Sequence, residues 1–136
     1  MSIPRKDRGK LEQSSEGPPI LTHHAECLEL FPYEDWCELE DRLLGMSGTL
    51  GFDPNVQSLI RFKISGAQDC PIDKQGRILI PKTLRDFAGL DREVAVVGVG
   101  NHLQLWNKAR FDADVRSTQA RLSEIESAVA AMGNKE

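Results

Sequence analysis

Asp73-Lys74-Gln75-Gly76-Arg77-Ile78-Leu79-Ile80-Pro81-Lys82-Thr83-Leu84-Arg85 is the stretch on which the reading of this chain turns. Gly76 supplies the positive φ of a tight hairpin, so Ala67 to Ile72 and Arg77 to Ile80 are expected to run as two strands around it. Lys74 and Arg77 then project from the tip. Pro81 ends the pairing, Lys82 to Ala88 has the composition of a short helix, and Gly89 is placed to terminate it. Val94 to Val99 and Leu103 to Trp106 form the next hairpin, turning at Gly100-Asn101, and both strands are apolar enough to be buried.

Working outward, the same pattern recurs near the start of the chain. Ser2-Ile3-Pro4-Arg5-Lys6-Asp7-Arg8 lies over Leu79 to Arg85, with Pro4 on Pro81 and Arg8 on Arg85. Cys27-Leu28-Glu29-Leu30-Phe31 lies over His102-Leu103-Gln104-Leu105-Trp106, and Trp36 over Phe111, after a slip of two residues that falls in a loop. Each half is therefore a basic Pro-x-x-x-Arg segment, a hairpin ending in Leu-x-Leu-aromatic, and an amphipathic helix. Between the halves, Asp53 caps a helix that opens with Pro54 and places Val56, Leu59, Ile60 and Ile64 on one side, with Gly45 to Phe52 as its flexible approach. Beyond the second half, Phe111, Val115, Thr118, Leu122, Ile125, Val129 and Met132 alternate by four and three, the spacing of a helix with a narrow apolar stripe suited to its own domain or to another copy.

With 136 residues, 40% hydrophobic and 28% charged, the chain fits one compact domain and is too apolar for a solvated tail. No apolar run is long enough to span a bilayer, and no hydrophobic signal core follows Met1 to Lys6, so a soluble cytosolic protein is expected. Cys27, Cys37 and Cys70 are an odd set without a C-x-x-C pair and are expected to be buried thiols. The net charge of −4 argues against nucleic-acid binding through bulk charge, but the distribution is uneven. Met1 to Lys10 and Pro71 to Arg85 are each net +3, whereas Glu26 to Leu44 is net −6.

His23, His24 and His102 lack companions at metal-ligand spacing and are expected to be exposed or structural. Trp36 and Trp106 are core anchors in this reading, and Glu38, Glu40 and Asp41 form a wet helix face rather than paired catalytic acids, since no Ser, His or Cys stands in an activating arrangement beside them. No enzyme, cofactor or metal is implied.

The Asp73-x-x-Gly76-Arg77-Ile78-Leu79-Ile80-Pro81-x-x-x-Arg85 pattern resembles the signature of the MraZ family, bacterial transcriptional regulators of the AbrB swapped-hairpin group. The resemblance continues through Ala88-Gly89-Leu90, Val96-Val97-Gly98, Leu103-Gln104-Leu105-Trp106 and, in the first half, Leu28-Glu29-Leu30-Phe31-Pro32 with Trp36. It implies an α+β fold: a pseudo-twofold AbrB-like swapped-hairpin β-barrel with peripheral helices and a C-terminal amphipathic helix. Residues 1–50 would form the first repeat, 51–111 the second with its preceding helix, and 112–136 the terminal helix and tail.

The resemblance further implies a nucleoid-associated homo-oligomer, a ring, on tandem double-stranded DNA sites upstream of division and cell wall genes. The family's Asp-x-x-Gly-Arg loops face the DNA. Carried onto this chain, that makes Arg77 the principal contact, Lys74 and Lys82 its neighbours, Arg85 a phosphate contact or a brace, and Arg8, which corresponds to Arg85, a support residue. Asp73, Gly76 and Pro81 shape the turn. Family members carry a first such loop ahead of the segment matching Ser2 to Arg8. The first repeat is accordingly expected to be incomplete at its N-terminus, through a late start codon or a true truncation, with an unpaired strand edge. A rival reading is a ring-assembly protein of the same fold that has lost DNA binding with that loop.

Overall fold

The computed structural model describes residues 1–12, 16–50 and 53–133. In chain order the elements are α1 (Arg5–Glu12), β1 (Ile20–His24), β2 (Cys27–Phe31), α2 (Tyr33–Leu50), α3 (Pro54–Lys63), β3 (Gln68–Asp69), α4 (Lys82–Ala88), β4 (Val94–Val99), β5 (His102–Asn107), α5 (Lys108–Ala120) and α6 (Leu122–Gly133). This is an α+β chain with an antiparallel sheet in the order β3-β1-β2-β5-β4.

The two hairpins expected from the duplicated pattern are both present, β1 with β2 around Ala25 and β4 with β5 around Gly100, each turn using a residue with positive φ. They join through β2 and β5, where Leu28 faces Leu105 and Leu30 faces Leu103, so the matching Leu-x-Leu segments meet at the centre of the sheet. The halves also interleave. β3 of the second half pairs with β1 of the first, and the chain start lies along the segment that follows the Gly76 turn: Met1 and Ile78 exchange backbone hydrogen bonds of 3.0 and 2.8 Å, and Ile3 N–H donates to Gly76 O at 2.8 Å. One core results. Ile3, Leu11, Leu21, Leu28 and Leu30 from the first half pack with Cys70, Ile78, Leu84, Ala88, Leu90, Leu103 and Leu105 from the second. Phe31 and Trp36 form a smaller cluster with Ile20 under α2.

Helix ends follow the local chemistry. Asp53 accepts a hydrogen bond from Asn55 N–H at 2.8 Å and Pro54 opens α3, while Gly89 closes α4 in the left-handed conformation at φ 63°. The caps and elements read from the sequence at Asp53, Lys82 to Ala88, Gly89 and Val94 to Val99 agree with the structure.

Five expectations need correction. The arms of the Gly76 hairpin are not a regular ladder. β3 spans only Gln68–Asp69, and Arg77 makes an isolated bridge to Ser2, because Pro71 removes a donor and the chain passes from β1 to the tip. Gly45 to Leu50 is not a loose approach but the end of α2; residues 51 and 52 lie outside those described. β4 is half-buried to exposed, since it is the last strand of the sheet among the described residues. The terminal helix breaks at Arg121, whose N–H bonds Thr118 O one residue short of the helical partner, and neither α5 nor α6 buries a residue. Finally, among the described residues the sheet is open, with β3 and β4 at its two ends.

Candidate nucleic-acid interface

The tip expected to carry function is held by its own backbone. Asp73 Oδ1 accepts hydrogen bonds from Gln75 N–H at 2.8 Å and Arg77 N–H at 2.9 Å. Gly76 N–H donates to Asp73 O and Asp73 N–H to Arg77 O, each at 3.0 Å. The hydrogen bond from Arg77 N–H holds the Asp73 carboxyl below its ordinary range against the opposing effect of burial, aided by the bond from Gln75 N–H and the Arg77 charge. Its charge is thus committed to the turn. Lys74, Gln75 and Arg77 remain exposed around it.

Gly76 is required twice over. Its φ of 77° lies in the left-handed region, and a Cβ there would stand 2.0 Å from Arg8 Cζ. Arg8 lays its guanidinium against this glycine while its Nε donates to Ile3 O at 2.6 Å. The structure therefore places Arg8 beneath the tip, half-buried, as a brace between the chain start and the turn.

Lys82 and Arg85 sit on α4, directly after Pro81, which precedes the helix with φ −57°. Lys82 pairs with Asp86 at 2.8 Å on the exposed helix face. Arg85 is exposed but turns toward a cavity beside β4, together with Lys6 and Arg92. Lys74 and Arg77 thus share the tip and Lys82 and Arg85 the following helix, whereas Arg8 lies apart from the exposed set. Chemically, an exposed guanidinium on a fixed turn can donate two hydrogen bonds to guanine O6 and N7, and a lysine offers a point charge to phosphate.

A second cluster was not foreseen. Glu29 belongs to the net-acidic Glu26 to Leu44 segment, yet its side chain is only 7% exposed. Lys63, at the end of α3, approaches Glu29 Oε1 at 2.5 Å, and His102 Nε2 lies 2.9 Å from Oε2. Lys63 Nζ also lies 3.0 Å from His24 Nδ1, and Thr22 Oγ1 donates to Lys63 O at 2.6 Å. Burial pushes the Glu29 carboxyl up, but hydrogen bonds from His102 and Lys63 and the Lys63 charge outweigh it and hold the pKa at about 2. Burial, with the neighbouring charges of Lys63 and His102, lowers the His24 pKa against the pull of Glu29. The signal that would have found this cluster is a lone acid between Leu28 and Leu30 in a strand buried on both faces. The cluster fixes the end of α3 to β2 and β5 of the sheet. Of the cysteines, Cys27 and Cys70 are buried, Cys37 is intermediate, and all three are free thiols.

Residues 64–132 match the family described as "MraZ protein, putative antitoxin-like". The chain is 35% identical over 131 residues to the transcriptional regulator MraZ of Halothermothrix orenii, an overlap covering 96% of this chain and 87% of that relative. It is 35% identical over 130 residues to the protein of the same description from Thiobacillus denitrificans, covering 91% and 86%. With the Methylococcus capsulatus protein, again a transcriptional regulator MraZ, the identity is 37% over 113 residues, covering 82% and 72%.

Proposed function

The chain belongs to the MraZ family, and on that premise we propose that it is a sequence-specific DNA-binding transcriptional regulator. The observation that carries the reading is the Asp73–Arg77 tip, where a carboxylate bound to backbone N–H groups and a glycine braced by Arg8 present Lys74 and Arg77 to solvent. Arg77 reads a base edge, Lys74 and Lys82 hold phosphates, Arg85 adds a phosphate contact from α4, and Arg8 supports the turn. Asp73, Gly76 and Pro81 set its shape. The family consists of regulators rather than enzymes, and no catalytic step is assigned.

One tip on a chain of net charge −4 is a weak ligand for DNA, so the function requires several tips acting together. A homo-oligomeric ring on tandem repeats upstream of division and cell wall genes meets that requirement, in the cytoplasm and associated with the nucleoid. The interleaving of two hairpin units, as in the family's swapped-hairpin fold, is supported by the reciprocal Met1–Ile78 bonds and by the pairing of β3 with β1, although the sheet itself is open among the described residues. Among the described residues no helix is long and apolar enough to cross a membrane.

Fluorescence anisotropy on DNA carrying one, two or three upstream repeats tests the proposal. Affinity is expected to climb with repeat number and to fall by at least about tenfold between roughly 50 and 200 mM salt. Binding insensitive to both repeat number and salt would contradict it.

A second reading, a ring-assembly protein without DNA binding, is favoured by the exposed apolar residues Val115, Leu122, Val129 and Met132 on α5 and α6. Sedimentation showing rings that retain none of the repeat DNA would select it over the first.

A further inference from the structure

We propose that Asn107 and Arg110 are positioning residues for DNA binding: together they fix the end of α4 to the start of α5 and so set where Lys82 and Arg85 stand. The proposal rests on the reading that these two cations meet phosphates. α4 has seven residues, too few to hold itself as a helix in water, and no side chain caps its start. Leu84 and Ala88 bury its apolar side in the core. Such burial is non-directional: it seats a helix on a sheet without fixing its place along its own axis, on which the reach of Lys82 and Arg85 depends. Directional hydrogen bonds at the end of the helix do fix it.

Those bonds converge on Gly89. Its N–H and that of Leu90 close α4 on the Asp86 and Arg85 carbonyls, at 3.2 and 3.0 Å. Its own carbonyl accepts a hydrogen bond from Asn107 Nδ2 at 2.7 Å. The other end of the same amide, Oδ1, accepts from Arg110 N–H at 3.0 Å and caps α5. A carbonyl only accepts and a backbone N–H only donates, so the orientation of the amide is fixed, and one planar group spans two helix ends. The Arg110 guanidinium packs on the joint: a Cβ on Gly89 would stand 2.8 Å from its Nη2. Lys108 N–H adds a bond to Glu93 O at 3.2 Å, which ties the start of α5 to the segment ahead of β4. The duplication sets this joint apart. The residue of the first half that lies over Asn107 is Pro32, which has neither an amide side chain nor a backbone donor, so α1 is not joined to α2 in the same way. The joint belongs to the half that carries the Asp73–Arg77 tip.

Asn107→Ser separates the two roles of the amide. Serine caps a helix about as well as asparagine, but its side chain is too short to reach Gly89 as well, and it brings no charge. The intact chain carrying it should keep its helix content by circular dichroism and bind DNA with tandem upstream repeats at least about threefold more weakly at low salt. Its affinity should also fall less steeply with salt, as should that of Lys82→Ala with Arg85→Ala, because cations withdrawn from phosphate release fewer counterions. A mere loss of folded protein would leave that slope unchanged. Once Lys82 and Arg85 are alanine, Asn107→Ser should cost nothing further, whereas with Arg77→Ala the two losses should multiply. Arg110→Ala leaves the cap and Asn107 in place, should show the same pattern more weakly, and keeps the test valid if Asn107→Ser fails to fold. Unchanged affinity, an unchanged salt slope, or an undiminished further loss in the absence of the two cations overturns the proposal. If Lys82→Ala with Arg85→Ala itself binds as tightly as the unaltered chain, the reading of these cations as phosphate contacts fails, and the proposal with it.

Discussion

Gly76 joins the sequence pattern to the exposed Asp73–Arg77 tip. Its positive φ and the Arg8 guanidinium packed on it leave no room for a side chain, so Gly76→Ala should cost about 1–3 kcal/mol in chemical denaturation and weaken DNA retention more than Gly45→Ala, where the added Cβ meets nothing within 4 Å. Glu29 is the other residue with an outsized role. Its pKa of about 2 lies below the ordinary carboxylate range, so the stability it contributes is complete above that range and is lost as pH falls toward about 2. His24, with its pKa lowered, acts in the same direction: the unfolded chain takes up the proton first as pH drops through the ordinary imidazole range. Urea midpoints measured at about pH 7 and about pH 3 should therefore differ less in Glu29→Gln than in the unaltered chain. Lys63→Met leaves Glu29 buried without its closest cation and should cost about 3–5 kcal/mol at neutral pH. The Gly76 turn was legible because glycine, aspartate and proline act on the backbone within a few residues. The Glu29 cluster was not, because its partners come from β1, α3 and β5 and only folding brings them together.

At the scale of elements, capping and turn signals were read correctly where a single residue decides the outcome, as at Asp53, Gly89 and Gly100. Where an outcome depends on what lies alongside, local reading fell short. The apolar run Val94 to Val99 reads as a buried strand, yet its place at the end of the sheet leaves it half-buried to exposed. The four-and-three stripe after Lys108 reads as one helix, yet the chain breaks at Arg121 and leaves Leu122 46%, Val129 60% and Met132 68% exposed. These side chains do not support the monomer, so replacing Leu122 and Val129 with lysine should shift its urea midpoint very little. The same double variant should lower the assembly state seen by sedimentation if α5 and α6 join copies in the ring. An unchanged assembly state would place that interface elsewhere.

For the whole molecule, the interleaved halves share one core, and unfolding should be a single transition with no stable half. Leu105 lies at the meeting of β2 and β5 and is fully buried, so Leu105→Ala should cost about 2–5 kcal/mol and lower the midpoint without splitting the transition. The duplication was visible in the sequence, but the order in which the two copies join was not, since pairing across β2 and β5 depends on contacts far apart in the chain. The central claim, that the Asp73–Arg77 tip contacts DNA, is tested most directly by comparing Arg77→Ala with the unaltered chain on a single repeat at fixed low salt. A drop of about 1–3 kcal/mol in binding free energy, with an unchanged urea midpoint, is the predicted result. Equal affinity of the two proteins would contradict it.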